Sequence, residues 1–194
     1  MIVVDVEASG VNPYKHSLVS VGAVHFENPS YQFYEECRIW DGADIMDDAM
    51  AVNGFTREQI MDMSKQTDES LVQAFLAWME KIPERTIVGH NPSFDRDFLA
   101  VTAARYHIDW PLAFRTIDTH TIGYMHHLLH GIPPPTENKR SALDLDAILK
   151  YVGLPEEPMP HNALTGAKVE TEAFSRLIYN KQLLDEFKQY PIPW

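Results

Sequence analysis

The sequence predicts an α/β protein with a mixed sheet, an antiparallel meander joined to parallel strands and flanked by helices. Two observations carry this. Residues 2–39 hold three runs rich in β-branched and aromatic residues, separated by the turn-formers NPYKH and ENPS. Further along, a short apolar run at 86–91 is followed by an amphipathic segment and another strand-like stretch at 114–118. That order describes a parallel crossover.

Taken in order, residues 2–6, 18–26 (LVSVGAVHF) and 31–39 (YQFYEECRI) form the meander. The segment 68–81 places Leu71, Phe75, Leu76 and Met79 at helical spacing, with Asp68 as the expected N-cap. Phe75, Trp78 and Met79 are expected in the core. TIVGHN is a short buried strand, and the helix after it carries Phe94, Phe98, Leu99 and Val101 on one face. Helices are expected at 119–130, 143–151 and 161–180, with GIPPPTENKR between the first two as a loop on account of its three prolines. No internal repeat is found.

A chain of 194 residues suits one well-buried domain, since a single core of this size buries roughly 70% of the unfolded surface. With 45% hydrophobic and 23% charged residues, gross disorder is excluded. No apolar run approaches the ~20 residues that span a bilayer, so no membrane partner is expected. The opening MIVVDV reads as a strand, so no basic cleavable leader is expected. The lone Cys37 cannot form an internal disulfide, and a cytoplasmic location is expected. The net charge of -12 argues against a broad basic face for long duplexes. Short or single-stranded ends, or nucleotides, suit it better, because divalent ions would supply positive charge locally.

The chemistry sits in three short pieces. Asp5 and Glu7, in IVVDVEASG, are two apart on a strand and leave the same face, so both can converge on one ion. Hard carboxylate oxygens suit Mg²⁺ or Mn²⁺; read alone, the pair also fits an edge strand with its acids in water. Asp95, in IVGHNPSFDRDFLA, falls in the first turn of its helix, where the helix dipole favours an acid whatever its function. Its strand would nevertheless deliver it to the strand ends where ligands gather. His161, in MPHNALTGA, opens the last helix. Its imidazole could take a proton at neutral pH, or be plain polar surface.

DVEASG, GHNPSFDRDFL and HNALTGAKVE resemble, in order and approximate spacing, the three motifs of the DnaQ-like (DEDDh) 3′-to-5′ exonuclease family. The resemblance runs from residue 2 to about 178, and VNGFT at 52–56 looks like the family's substrate-pocket segment. It implies an RNase H-like fold, two Mg²⁺ or Mn²⁺ ions, and stepwise removal of 3′-terminal nucleotides from DNA or RNA. Carried over, Asp5 would bridge both ions, Glu7 would bind the ion holding the attacking water, Asp95 would support the second, and His161 would be the general base. Ala8, Ser9 and Gly10 would contact the terminal nucleotide, with Asn53, Phe55 and Asn91 lining the pocket.

The third motif departs from the family pattern, with Gly166 where an acid is expected five residues after the histidine. Loss of even an outer-sphere partner costs ~10–100-fold in metal affinity or activity, so a lost ligand matters at least as much. Glu170, one helical turn on, leans back toward the vacant place as a substitute ligand; a solvent-facing glutamate is its plain alternative. Two further functions therefore stand beside the exonuclease: a nucleic-acid-binding protein of the same fold with impaired catalysis, and a hydrolase of small nucleotides or dinucleotides.

Elsewhere, His126, His127 and His130 have spacings that could hold zinc or simply mark a helix surface. Lys139 and Arg140 could meet a phosphate backbone. The C-terminal helix and the YPIPW tail offer a possible homodimer contact.

Overall fold

The computed structural model describes residues 1–194. Strand β1 (Ile2–Ala8) is central, and strands β2 (Leu18–His25) and β3 (Gln32–Glu36) complete the antiparallel meander on one side of it. Helices α1 (Asp47–Asn53), α2 (Arg57–Ile60) and α3 (Asp68–Met79) follow. Strand β4 (Ile87–Gly89) then pairs parallel to β1, and after helix α4 (Ser93–Arg105) strand β5 (Thr116–Asp118) pairs parallel to β4. The sheet order is β3-β2-β1-β4-β5. Helix α5 (Thr119–Leu129), a small hairpin β6 (Thr136–Glu137) and β7 (Arg140–Ser141), and helices α6 (Leu145–Tyr151) and α7 (Ala163–Tyr179) complete the chain.

The two faces of β1 have different duties. Ile2, Val4, Val6 and Ala8 join the main core with Leu71 and Phe75 of α3 and Phe98 and Leu99 of α4. Val3, on the other face, packs with Val88 and with Phe174 of α7. Side chains alternate along a strand, so Asp5 and Glu7 share Val3's face and look toward α7.

A glycine sets how close α7 comes. Gly22 is the register partner of Asp5 on β2, and a Cβ there would stand 2.1 Å from the carbonyl carbon of Ala163 and 2.2 Å from Leu164 N. The first turn of α7 therefore lies backbone against backbone on the sheet, beside Asp5. Asn162 caps this turn, its side chain accepting from the amides of Leu164 and Thr165.

Three local expectations are corrected. Thr67, not Asp68, caps α3: its hydroxyl accepts from Ser70 N, while Asp68 is buried and bonded to Arg105 and Tyr106. The proline-rich stretch carries the β6-β7 hairpin, whose turn residues Asn138 and Lys139 both have positive φ. Trp78 is partly buried at the core's edge instead of within it. The tail folds back on its own chain, with the Trp194 ring against His126 and Tyr151. No helix is long and apolar enough to cross a membrane.

Candidate active site

Asp5 and Glu7 lie on the C-terminal half of β1, beyond the reach of the short strand β4, which pairs with only Ile2 and Val3. The Val6 amide is consequently left without a strand partner on that side. Asp95, in the first turn of α4, fills the gap: its Oδ1 accepts from Val6 N at 3.0 Å. This bond fixes an α4 carboxylate beside the β1 acids.

A pocket of about 230 Å³ gathers Asp5, Glu7, Asp95, Glu157, His161 and Glu170, together with His90 and Asn91. Glu7, Asp95 and Glu170 are buried, and Asp5 is partly exposed on its wall. Glu170 is thus not the solvent-facing residue that was its alternative. Its Oε2 has no hydrogen-bond partner and would stand 2.9 Å from a Cβ at Gly89, so this carboxylate tucks against the end of β4. A larger cleft of about 650 Å³, lined by Pro13, Tyr14, Arg96, Arg105 and Phe114 among others, contains none of these pocket acids.

Burial and mutual repulsion make these acids reluctant to ionise. Desolvation pushes Glu7 up to about 8, with the charges of Glu157 and Asp95 adding to it. Burial raises Asp95 to about 7 although the Val6 amide pulls the other way. Asp5 is raised well above its ordinary value by desolvation of its carboxylate and then by Asp95, Glu170, Glu7 and Glu157. Glu170 is raised well by burial and by Asp95, and Glu157 is raised by burial against the lowering influence of His161.

Such a donor set fits hard divalent cations. It offers five oxygen ligands around one pocket, two of them with an orphaned buried oxygen, and negative charge that a cation would neutralise. No three His, Cys, Asp or Glu side chains stand close enough to form a ready-made cage.

His161 lies at the pocket's rim with its side chain 35% exposed and Nδ1 3.7 Å from Glu157 Oε2. Its amide donates to Val52 O at 3.0 Å, which brings the 52–56 segment to the site. Asn53 in that segment is buried, donating from Nδ2 to Ala8 O at 3.1 Å. Ala8, Ser9 and Gly10 are buried; the Ser9 hydroxyl donates to Asp44 O and accepts from Ser17 N, and Gly10 packs against the His16 ring. Phe55 is partly buried under Lys65 Nζ, 5.0 Å from its ring centroid. Asn91 is exposed, has positive φ, and donates its amide to Asp118.

His126, His127 and His130, at the C-terminal end of α5, do not converge on a metal position: His126 bonds the Tyr151 hydroxyl, while His127 and His130 bond the backbone carbonyls of Gly123 and His126. The residue that motif reading missed is Glu157, which lies in a loop between two prolines and belongs to no motif.

A family model described as Exonuclease, RNase_T, matches residues 2–174. The chain belongs to the DnaQ-like exonuclease family. The chain is 28% identical over 180 residues to the 3′-5′ DNA exonuclease Cap18 of Escherichia coli, covering 90% of this chain and 89% of that one. It is 26% identical over 179 residues to the PolC-type DNA polymerase III of Thermotoga maritima, covering 91% of this chain but only 12% of that much longer protein. Among solved structures, the nuclease domain of 3′hExo, a DEDDh family member bound to rAMP, superposes with a TM-score of 0.72 at 16% identity, covering 93% and 92% of the two chains. E. coli Exonuclease I in complex with a dA16 oligonucleotide gives 0.71 at 17% identity, over 93% of this chain and 41% of that one. These neighbours share the RNase H-like fold.

Proposed function

We propose that this chain is a single-domain, two-metal-ion 3′-to-5′ exonuclease that releases nucleotides from single-stranded DNA or RNA ends. The observation that carries the reading is the convergence of Asp5, Glu7 and Asp95 with His161 on one pocket at the strand ends. Asp5, Glu7 and Asp95 would hold two Mg²⁺ or Mn²⁺ ions, with Glu170 near the second. Ions held there would neutralise charge developing on the phosphate and make water a better nucleophile.

The chain's own groups divide the remaining work. With Nδ1 beside Glu157, His161 has Nε2 left to accept the proton of the attacking water. The 52–56 segment, tied to His161 through Val52 and to β1 through Asn53, would hold the terminal nucleotide together with Phe55 and Asn91. Because Ser9 spends its hydroxyl internally, the β1 end serves the nucleotide as a wall. The net charge of -12 favours short ends over long duplexes.

The test is a timed digestion of 5′-labelled single-stranded DNA and RNA oligomers with Mn²⁺, Mg²⁺ or EDTA, beside Asp5→Ala. A metal-dependent ladder shortening from the 3′ end and absent in the variant is expected. Gly166 favours a second reading, a nucleic-acid-binding protein with impaired catalysis. Binding to 3′ ends with an unchanged band in every lane would establish that reading in place of the first.

A further inference from the structure

The glycine at 166 leaves room that another acid enters. A Cβ built there would stand 2.1 Å from Asp5 Oδ2 and 3.3 Å from Glu157 Oε1. Any side chain at 166 would compete with those two carboxylates for one space. A glycine inside a helix weakens it relative to alanine, and here the missing side chain leaves room for Asp5 and, at its edge, for a carboxylate from the loop ahead of α7.

Glu157 behaves unlike a surface loop residue. Its side chain is only 4% exposed, in a stretch whose immediate neighbours Glu156 and Pro158 are exposed. Oε2 faces His161 Nδ1, and Oε1 is buried with no hydrogen-bond partner while lining the acid pocket. Leaving a buried carboxylate oxygen without a partner is costly, and a cation is a natural complement to it.

We propose that Glu157 supplies, from the loop, the carboxylate that Gly166 cannot supply from the helix, and so completes the metal site on the Glu7 side of the pocket. The proposal rests on the metal-dependent reading above and adds a ligand to it. Glu170 is placed differently: it tucks against Gly89 at the end of β4, whereas Glu157 Oε1 borders the space beside Gly166 that Asp5 Oδ2 also enters, 3.3 Å from where a side chain at 166 would begin. Consistent with this, the largest charge acting on Glu7 is that of Glu157, while Glu170 feels Asp95 first. The same carboxylate reaches toward His161, so the acid that would hold the ion also sits beside the proposed base.

Isothermal titration of the metal-free full-length chain with Mn²⁺ tests this, comparing wild type with Glu157→Gln, Glu170→Gln and Asp5→Asn, each also melted in EDTA. Glu157→Gln should weaken one of two bound ions by at least ~10-fold with an unchanged or raised melting temperature in EDTA. The assignment is overturned if Glu157→Gln binds Mn²⁺ as wild type does while Asp5→Asn does not, since the metal reading then stands without Glu157. It is also overturned if Glu170→Gln alone loses that ion, or if Glu157→Gln melts lower in EDTA by enough to account for its weaker binding. A wild-type chain that binds no Mn²⁺ removes the metal reading itself and the proposal with it.

Discussion

Asp5 is where the charges of the site meet, since all four of the other pocket acids push on its carboxylate. Asp5→Asn should therefore have two opposite effects: loss of metal-dependent cleavage by at least ~100-fold, and a higher melting temperature in EDTA because a repulsive centre is gone. A nuclease assay and a melt on the same preparation check both. The pH dependence follows with a definite sign. Glu7 titrates at 4.5 when unfolded and about 8 when folded, so across that window the folded chain holds protons the unfolded chain has released. Stability of the metal-free chain thus falls as pH rises from about 4.5 to about 8, and Asp95 adds to the fall between 3.8 and about 7. Calorimetric melts across this range should show that decline, with added Mn²⁺ offsetting it most at the alkaline end. At this scale the meeting of Asp5, Glu7, Asp95 and His161 in one pocket could be anticipated from their motifs, because metal-dependent chemistry asks for particular residue types at particular spacings. Glu157 could not, because its position depends on where a proline-flanked loop folds in three dimensions.

Each site residue is aimed by an element whose ends are dictated locally. The brevity of β4 frees the Val6 amide for Asp95, and Asn162 and Gly22 together seat the first turn of α7. Gly22→Ala should cost ~1–3 kcal/mol in urea unfolding, the usual toll of forcing a methyl into a packed contact. It should also weaken Mn²⁺ binding, because α7 carries its acids away from β1 as it is displaced. The long elements were readable from periodicity: the β1-to-β3 meander, α3, α4 and α7 all lie within a few residues of their expected spans. What periodicity did not reveal was short. Helix α2 has four residues, and the two-residue strands of the β6-β7 hairpin sit behind three prolines. Elements of that size are held by tertiary contacts, which no local pattern records.

The two ends of α7 tie the molecule together. Near its C-terminus, Arg176 is fully buried, donating to Glu172 Oε1 at 2.8 Å and to the carbonyls of Val152, Phe187 and Tyr190. Glu172 Oε2 in turn accepts from the amides of Leu183 and Leu184. Arg176→Ala should cost ~3–5 kcal/mol by urea unfolding, since Glu172 would keep a buried, uncompensated charge. Resistance of the chain beyond residue 180 to protease should fall with it. At the other end of the helix, contact with the sheet passes through main-chain atoms at Gly22. The gap between the β1 acids and the α7 acids is therefore ruled by covalent backbone dimensions, like a machined spacer between two plates. A change of side chain in the core elsewhere leaves that spacing untouched, so the width of the pocket is insulated from repacking at a distance.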